Sequence, residues 1–204
     1  MNNLKKFWKK FWFVVWEDPS FKGWLISIIF IFVMIKFVFF PVLNLTTGTS
    51  QTLAIVESCS MYHKGDVFSE YDSWWERNQK QYSKFGIGKN EFSEFIFKKG
   101  FNKGDLLFMI KANPEKLKNG DVILFEGTNK PIIHRLIKIN EDVEGKIFST
   151  QGDNNDGQLE IEKEIRENQL IGKALFKIPF AGWIKLVFYE PLRPEYERGF
   201  CDER

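Results

Sequence analysis

Asn102-Lys103-Gly104-Asp105-Leu106-Leu107-Phe108-Met109-Ile110 is followed shortly by a near copy, Lys118-Asn119-Gly120-Asp121-Val122-Ile123-Leu124-Phe125. In each, a Gly-Asp turn launches a short apolar run, the signature of a strand entered from a tight turn. Downstream, residues 131–139 and 146–150 read as two further strands, and residues 170–177 as another after a Gly152-Asp153-Asn154-Asn155 loop. Upstream, residues 52–56 are apolar and β-branched, which suits a buried strand. Successive short strands with Gly turns predict a mainly β domain over residues 50–185, built of antiparallel sheets as a sandwich or a partly closed barrel.

Residues 63–100 interrupt that pattern with an aromatic insertion that includes Trp74, Trp75, Tyr82 and Phe92. Helical stretches are expected near 71–82 and 89–97. Packing on the core is its plainest use; a lid over a site and a rest on lipid are the alternatives.

The N-terminal quarter is different in kind. Leu4, Phe7, Trp8, Phe11, Trp12 and Val15 recur at helical spacing with Lys5, Lys6, Lys9 and Lys10 opposite, so residues 1–17 form an amphipathic helix suited to an anionic bilayer interface. Residues 24–43 are apolar apart from Ser27 and Lys36, long enough for a hydrocarbon core of about 30 Å, and a transmembrane anchor is expected over 22–45. Lys36 opposes insertion by roughly 2.5 to 3.5 kcal/mol at mid-span, which the surrounding Ile, Phe and Val outweigh. The apolar run exceeds that of a signal peptide, and Leu43-Asn44-Leu45-Thr46-Thr47-Gly48 offers no small-x-small cleavage pattern, so the anchor is read as uncleaved. Lysines outnumber Glu17 and Asp18 before the span, which predicts a cytoplasmic N-terminus and an extracytoplasmic domain. Residues 184–189 are too short for a second span, and residues 186–204 read as a charged tail.

A hydrophobic fraction of 44% is compatible with a packed core, and a net charge of +2 with its basic residues at one end argues against a nucleic-acid-binding face. Two cysteines are too few for a disulfide framework, and with two histidines they make no zinc-like spacing. No metal or organic cofactor is called for.

The chemistry is expected around Val56-Glu57-Ser58-Cys59-Ser60-Met61, where an apolar strand ends in a turn. Most serines in such a place only hydrogen-bond the turn. Period-two alternation on the 131–139 strand puts His134 on one face with Ile132 and Leu136, and Arg135 on the other. A lone imidazole there is more often a core histidine, yet Ser60, His134 and the aspartate of the Gly-Asp-Asn-Asn loop supply the three roles of an activated serine nucleophile. Cys59 is a rival thiol nucleophile, although a residue flanking Ser60 points elsewhere in a fixed turn. His63 is a backup base, for which an ordinary surface histidine is the plainer reading.

Ser58-x-Ser60-Met61, Gly120-Asp121-Val122-Ile123, Ile132-Ile133-His134-Arg135, Gly152-Asp153-Asn154-Asn155 and Gly172-Lys173-Ala174 occur in the order found in type I signal peptidases. Over roughly residues 22–185 the chain resembles the archaeal and endoplasmic-reticulum branch, in which His replaces the catalytic Lys of the bacterial enzymes. The resemblance implies a membrane-bound serine endopeptidase on a largely β fold, acting at the outer membrane face on signal-peptide-bearing preproteins. The lipid bilayer and the secretion translocon would be its other partners. Ser60 would be the nucleophile, His134 the general base and Asp153 the carboxylate that orients the imidazole. The Ser60 N–H and the Ser58 hydroxyl would hold the oxyanion, with Met61 beside the substrate.

Three departures stand out. A second family aspartate, six residues past Asp153, is Leu159 here, which leaves Asp156 as an alternative acid; Tyr62-His63 replaces the usual Pro after Ser-Met; and the 63–100 insertion is long. The single span favours an archaeal cell membrane within that branch. The competing function is a catalytically silent anchored β domain that binds peptides or partner proteins.

Overall fold

The computed structural model describes residues 2–64 and 71–201. The chain divides into two compact units, Met1–Thr46 and Thr47–Arg204.

In the first unit the basic helix Asn2–Trp12 runs on through a widened turn, Phe13–Glu17. Ser20 then caps the next helix by accepting the Gly23 N–H at 3.1 Å, and Phe21–Thr47 follows as the one described helix long and apolar enough to cross a membrane, with a mean hydropathy of 2.7. The two helices pack on each other: Phe11 meets Phe30 edge to face at 5.3 Å, Val15 is buried, and the Ser27 hydroxyl donates to the Val15 carbonyl. The apolar face of the first helix is therefore divided. Phe11 and Val15 serve the helix pair, while Leu4, Phe7, Trp8 and Trp12 stay exposed.

The second unit is built on a seven-stranded, wholly antiparallel sheet. Its strands are β1 (Leu53–Ile55), β2 (Leu106–Ile110), β3 (Val122–Phe125), β4 (Ile132–Asp142), β5 (Gly145–Gln151), β6 (Ile165–Arg166) and β7 (Leu170–Ile178). They lie in the order β1-β2-β7-β3-β4-β5-β6. The two-residue β6 was not foreseen, being too short to show any period.

The repeated turn is the sheet's organising device. Gly104 and Gly120 take φ of 88° and 90°, a left-handed backbone that favours glycine. In each turn the aspartate carboxylate accepts the N–H three residues back, Asn102 for Asp105 and Lys118 for Asp121, both at 3.0 Å. Strand β7 lies between the two launched strands and supplies both counter-ions: Lys177 reaches Asp105 at 3.1 Å and Lys173 reaches Asp121 at 2.8 Å.

Strand β3 is buried throughout because it divides its side chains between two cores. Val122 and Leu124 join Ala54, Val56, Met61, Leu107 and Ala174, whereas Ile123 and Phe125 join Leu136, Phe148 and Ile165. The insertion makes a third core. Its helices Tyr71–Ser83 and Lys89–Ser93 gather Trp74, Trp75, Tyr82 and Phe92 around Ile137 of β4. Core packing is thus what its described aromatics do; residues 65–70 of the insertion lie outside the described residues.

The 186–204 segment is more than a charged tail. The helix Trp183–Tyr189 leads into residues that bind back to the domain, Arg193 to Glu57 at 2.8 Å and Cys201 to Cys59 through a disulfide. A count of two cysteines gave no hint of this bridge across 142 residues, because pairing depends on proximity in the fold.

Candidate active site

The chain leaves β1 at Ile55 and enters a turn closed by the Tyr62 N–H on the Cys59 carbonyl at 3.1 Å. The Gly-Asp-Asn-Asn loop clamps this turn. Asn154 donates its backbone N–H to the Ser60 carbonyl at 2.8 Å and its side-chain amide to the Cys59 carbonyl at 3.0 Å. Gly152 passes so close that an added Cβ would lie 2.8 Å from the Ser60 carbonyl oxygen and 2.9 Å from His134 Nε2.

Opposite the turn, His134 stands on β4 in register with Ile123 and is almost fully buried. Its Nε2 lies 2.8 Å from Ser60 Oγ, which is hydrogen-bond distance for a nucleophile and base. The Ser58 hydroxyl is 3.2 Å from Ser60 Oγ. The Ser60 N–H has no hydrogen-bond acceptor among the described residues, which leaves it available as an oxyanion donor.

The carboxylate on His134 belongs to Glu162, not to Asp153. Glu162 Oε1 meets His134 Nδ1 in a short contact and also accepts the Thr150 hydroxyl at 3.2 Å, while Oε2 accepts the Leu159 N–H at 2.7 Å. These bonds hold a fully buried carboxylate in one orientation. Glu162 ends the short turn Glu160–Glu162, and its only signal in the sequence is that it follows Ile161 in a stretch alternating apolar and acidic residues.

Asp153 turns instead to the opposite face of β4, where Arg135 points. Arg135 is fully buried and uses all five N–H donors, on Asp153 and on the carbonyls of Ile96, Phe97 and Gly120. A buried guanidinium demands a charged partner, and Asp153 is the one within reach. It also receives the Tyr82 hydroxyl at 2.7 Å and His63 Nε2 at 2.9 Å. Burial alone would raise the Asp153 carboxyl, but Arg135 and the hydrogen bonds from His63 and Arg135 hold it well below the ordinary carboxylate range. Burial in turn pushes the Tyr82 hydroxyl well above its usual value, helped by the Asp153 charge.

The remaining candidates sort clearly. Asp156 sits exposed in the bend after the loop and makes no hydrogen bond to His134. His63 is no surface residue: it is buried, stacked on Trp74 with ring centroids 3.6 Å apart, and aimed at Asp153. Cys59 has no thiol to offer, since its sulfur is in the disulfide. Met61 is buried, with its sulfur accepting the Asp153 N–H at 3.4 Å. No group of three or more His, Cys, Asp and Glu among the described residues is placed to hold a metal ion.

Ser60 and His134 open onto a groove of about 640 Å³. One wall is β1, the end strand of the sheet, and the other is the start of β4 with the turn before it. Main chain at a sheet edge and apolar side chains in the floor suit an extended peptide.

No protein-family model matches the chain. Among individual proteins it is similar to the signal peptidase complex catalytic subunit SEC11C of Homo sapiens, 33% identical over 99 residues that make up 43% of this chain and 50% of the relative. The SEC11 subunit of Lodderomyces elongisporus is 34% identical over 98 residues, 44% of this chain and 58% of the relative, and that of Candida albicans 31% over 104 residues, 47% and 62%. The chain spans about half the length of the curated relatives it matches. These relatives are eukaryotic, against the archaeal affiliation expected from the single span. Over 43–47% of its length, the chain is similar to signal peptidase complex catalytic subunits of the SEC11 type.

Proposed function

We propose that this chain is a membrane-anchored serine endopeptidase that removes N-terminal signal peptides from preproteins. The observation that carries the reading is the line of contacts from Ser60 Oγ through His134 to the buried Glu162, opening on a groove shaped for extended chain.

In this mechanism the substrate lies along β1, with only small side chains admitted next to the cut. His134 Nε2 takes the Ser60 hydroxyl proton as Oγ attacks the scissile carbonyl, and Glu162 steadies the Nδ1–H of the resulting imidazolium. The Ser60 N–H and the Ser58 hydroxyl receive the oxyanion, each donor worth roughly 3 kcal/mol of barrier. His134 then returns the proton to the leaving amine, and a water activated by the same imidazole releases the acyl group. The Phe21–Thr47 helix is the anchor, and the lysines before it keep the N-terminus cytoplasmic. The disulfide favours placing the catalytic unit on the oxidising side.

The test is cleavage of several preproteins with an Ala-x-Ala site by the intact chain in liposomes. Cutting after the small residue, lost when that residue becomes Leu, is expected. An intact, folded chain that cuts none of them would leave the silent peptide-binding domain as the better account.

Glu162 takes over the role first expected of Asp153. Glu162→Gln is expected to lower kcat by about 10² to 10⁴-fold with little change in KM, because an amide no longer fixes the imidazole tautomer or stabilises its charged form. A loss below about threefold would reduce Glu162 to a packing residue.

A further inference from the structure

The nucleophile turn is held on two sides. Asn154 holds one, and the other is held by residues 183–201, which fold back as a strap. Arg193 donates to the Glu57 carbonyl at 3.1 Å and pairs with the Glu57 carboxylate at 2.8 Å, and Cys201 is bonded to Cys59, next to Ser60.

The strap is itself fastened to the domain. Trp183 Nε1 donates to the Lys103 carbonyl at 3.0 Å. Lys103 Nζ, almost fully buried, donates to Glu190 at 2.9 Å and to the Glu197 carbonyl at 2.6 Å. Arg198 Nε closes the last turn on the Arg193 carbonyl at 2.7 Å. Lys185 of the strap also lines the substrate groove. These attachments are not needed to complete the sheet, whose strands end at Ile178. The strap meets the turn at Glu57, through Arg193, and at Cys59, through the disulfide, the residues that flank Ser58 and precede Ser60.

We propose that the 183–201 strap is a redox-dependent positioning device: its disulfide and its Arg193 clamp hold the Ser58–Ser60 turn against His134, so that full activity requires the Cys59–Cys201 bridge. The inference rests on the peptidase reading. A small-molecule dithiol would break the S–S bond by thiol–disulfide exchange, leaving two protein thiols and the dithiol oxidised to its own disulfide. Such a site is idle in a reducing compartment and engages once the domain reaches an oxidising one. A nascent chain would then acquire activity only after export of its own catalytic unit.

The experiment uses the intact chain in detergent. A non-reduced digest is expected to contain the peptide linking Cys59 to Cys201, and its absence would overturn the proposal. Reduction with dithiothreitol, or Cys201→Ala, is expected to lower kcat about tenfold, since small misplacements of a reacting group are costly. The pH midpoint should stay in place because His134 and Glu162 are untouched, and circular dichroism should show the same folded fraction. Hydrogen exchange at amides 57–61 should speed up while the β3 and β4 amides remain protected. A reduced chain that cuts within twofold of the oxidised one would refute the device. If Cys201→Ala fails to fold, reduction of the folded parent carries the comparison. Should the oxidised parent cut nothing, the peptidase reading falls separately, and exchange at 57–61 decides the strap: faster on reduction supports it, unchanged overturns it.

Discussion

Ser60→Ala is expected to reduce preprotein cleavage by at least about 10⁴-fold with no loss of folding, and His134→Ala by a similar factor. Ser60 is half-buried at the groove and, among the described residues, its hydroxyl bonds only His134 and Ser58, so removing one oxygen leaves the core intact. Because nucleophile and base act as a unit, the double variant should be hardly slower than either single one. The measurement is initial rate in liposomes beside a urea melt of each variant. Ser60→Ala cutting at the parent's rate would displace the nucleophile, and a double variant slower by the product of both factors would show that the two side chains act independently.

Asp153→Asn should have the largest effect on stability. The change leaves the fully buried Arg135 guanidinium without its counter-ion and weakens the Tyr82 and His63 bonds, a loss of about 3 to 5 kcal/mol. Set against a total stability of roughly 5 to 15 kcal/mol, that is enough to unfold part of the population. Adding Arg135→Met should not rescue it, because the carbonyls of Ile96, Phe97 and Gly120 would then lose their donor. The sign with pH follows from the lowered carboxyl. Its contribution is complete above the unfolded value of about 4 and is lost as pH falls toward the lower folded value. The parent should therefore lose stability in acid more steeply than Asp153→Asn. A variant as stable as the parent at neutral pH would show that the Arg135–Asp153 pair contributes nothing net.

The buried Arg135 draws Asp153 to the face of β4 opposite His134, where Glu162 is the carboxylate in contact with the imidazole. The Gly152-Asp153-Asn154-Asn155 loop does reach the site, but through Gly152, whose missing side chain makes room for His134, and through Asn154, which clamps the Ser60 turn. Its aspartate crosses to the other face of β4. The alternation of His134 and Arg135 was plain in the sequence, yet whether Arg135 pointed to water or to a core could not be read from it. The answer came from the insertion, whose aromatic core and carbonyls enclose the guanidinium, with Phe92 4.8 Å from its centre.

Local pattern by itself determined the apolar helix at Phe21–Thr47, the strands launched by the twin Gly-Asp turns, and the face of β4 that carries His134. Those features rest on hydrophobic period and turn chemistry, which act within a few residues. Tertiary structure alone decided that Glu162 rather than Asp153 faces His134, that His63 is buried against Trp74, and that Cys59 joins Cys201. These contacts span 28 residues for His134–Glu162, 90 for His63–Asp153 and 142 for the disulfide. At such separations a partner is chosen by which buried charge, ring or sulfur lies within reach once the sheet has curled, and no local period encodes that choice.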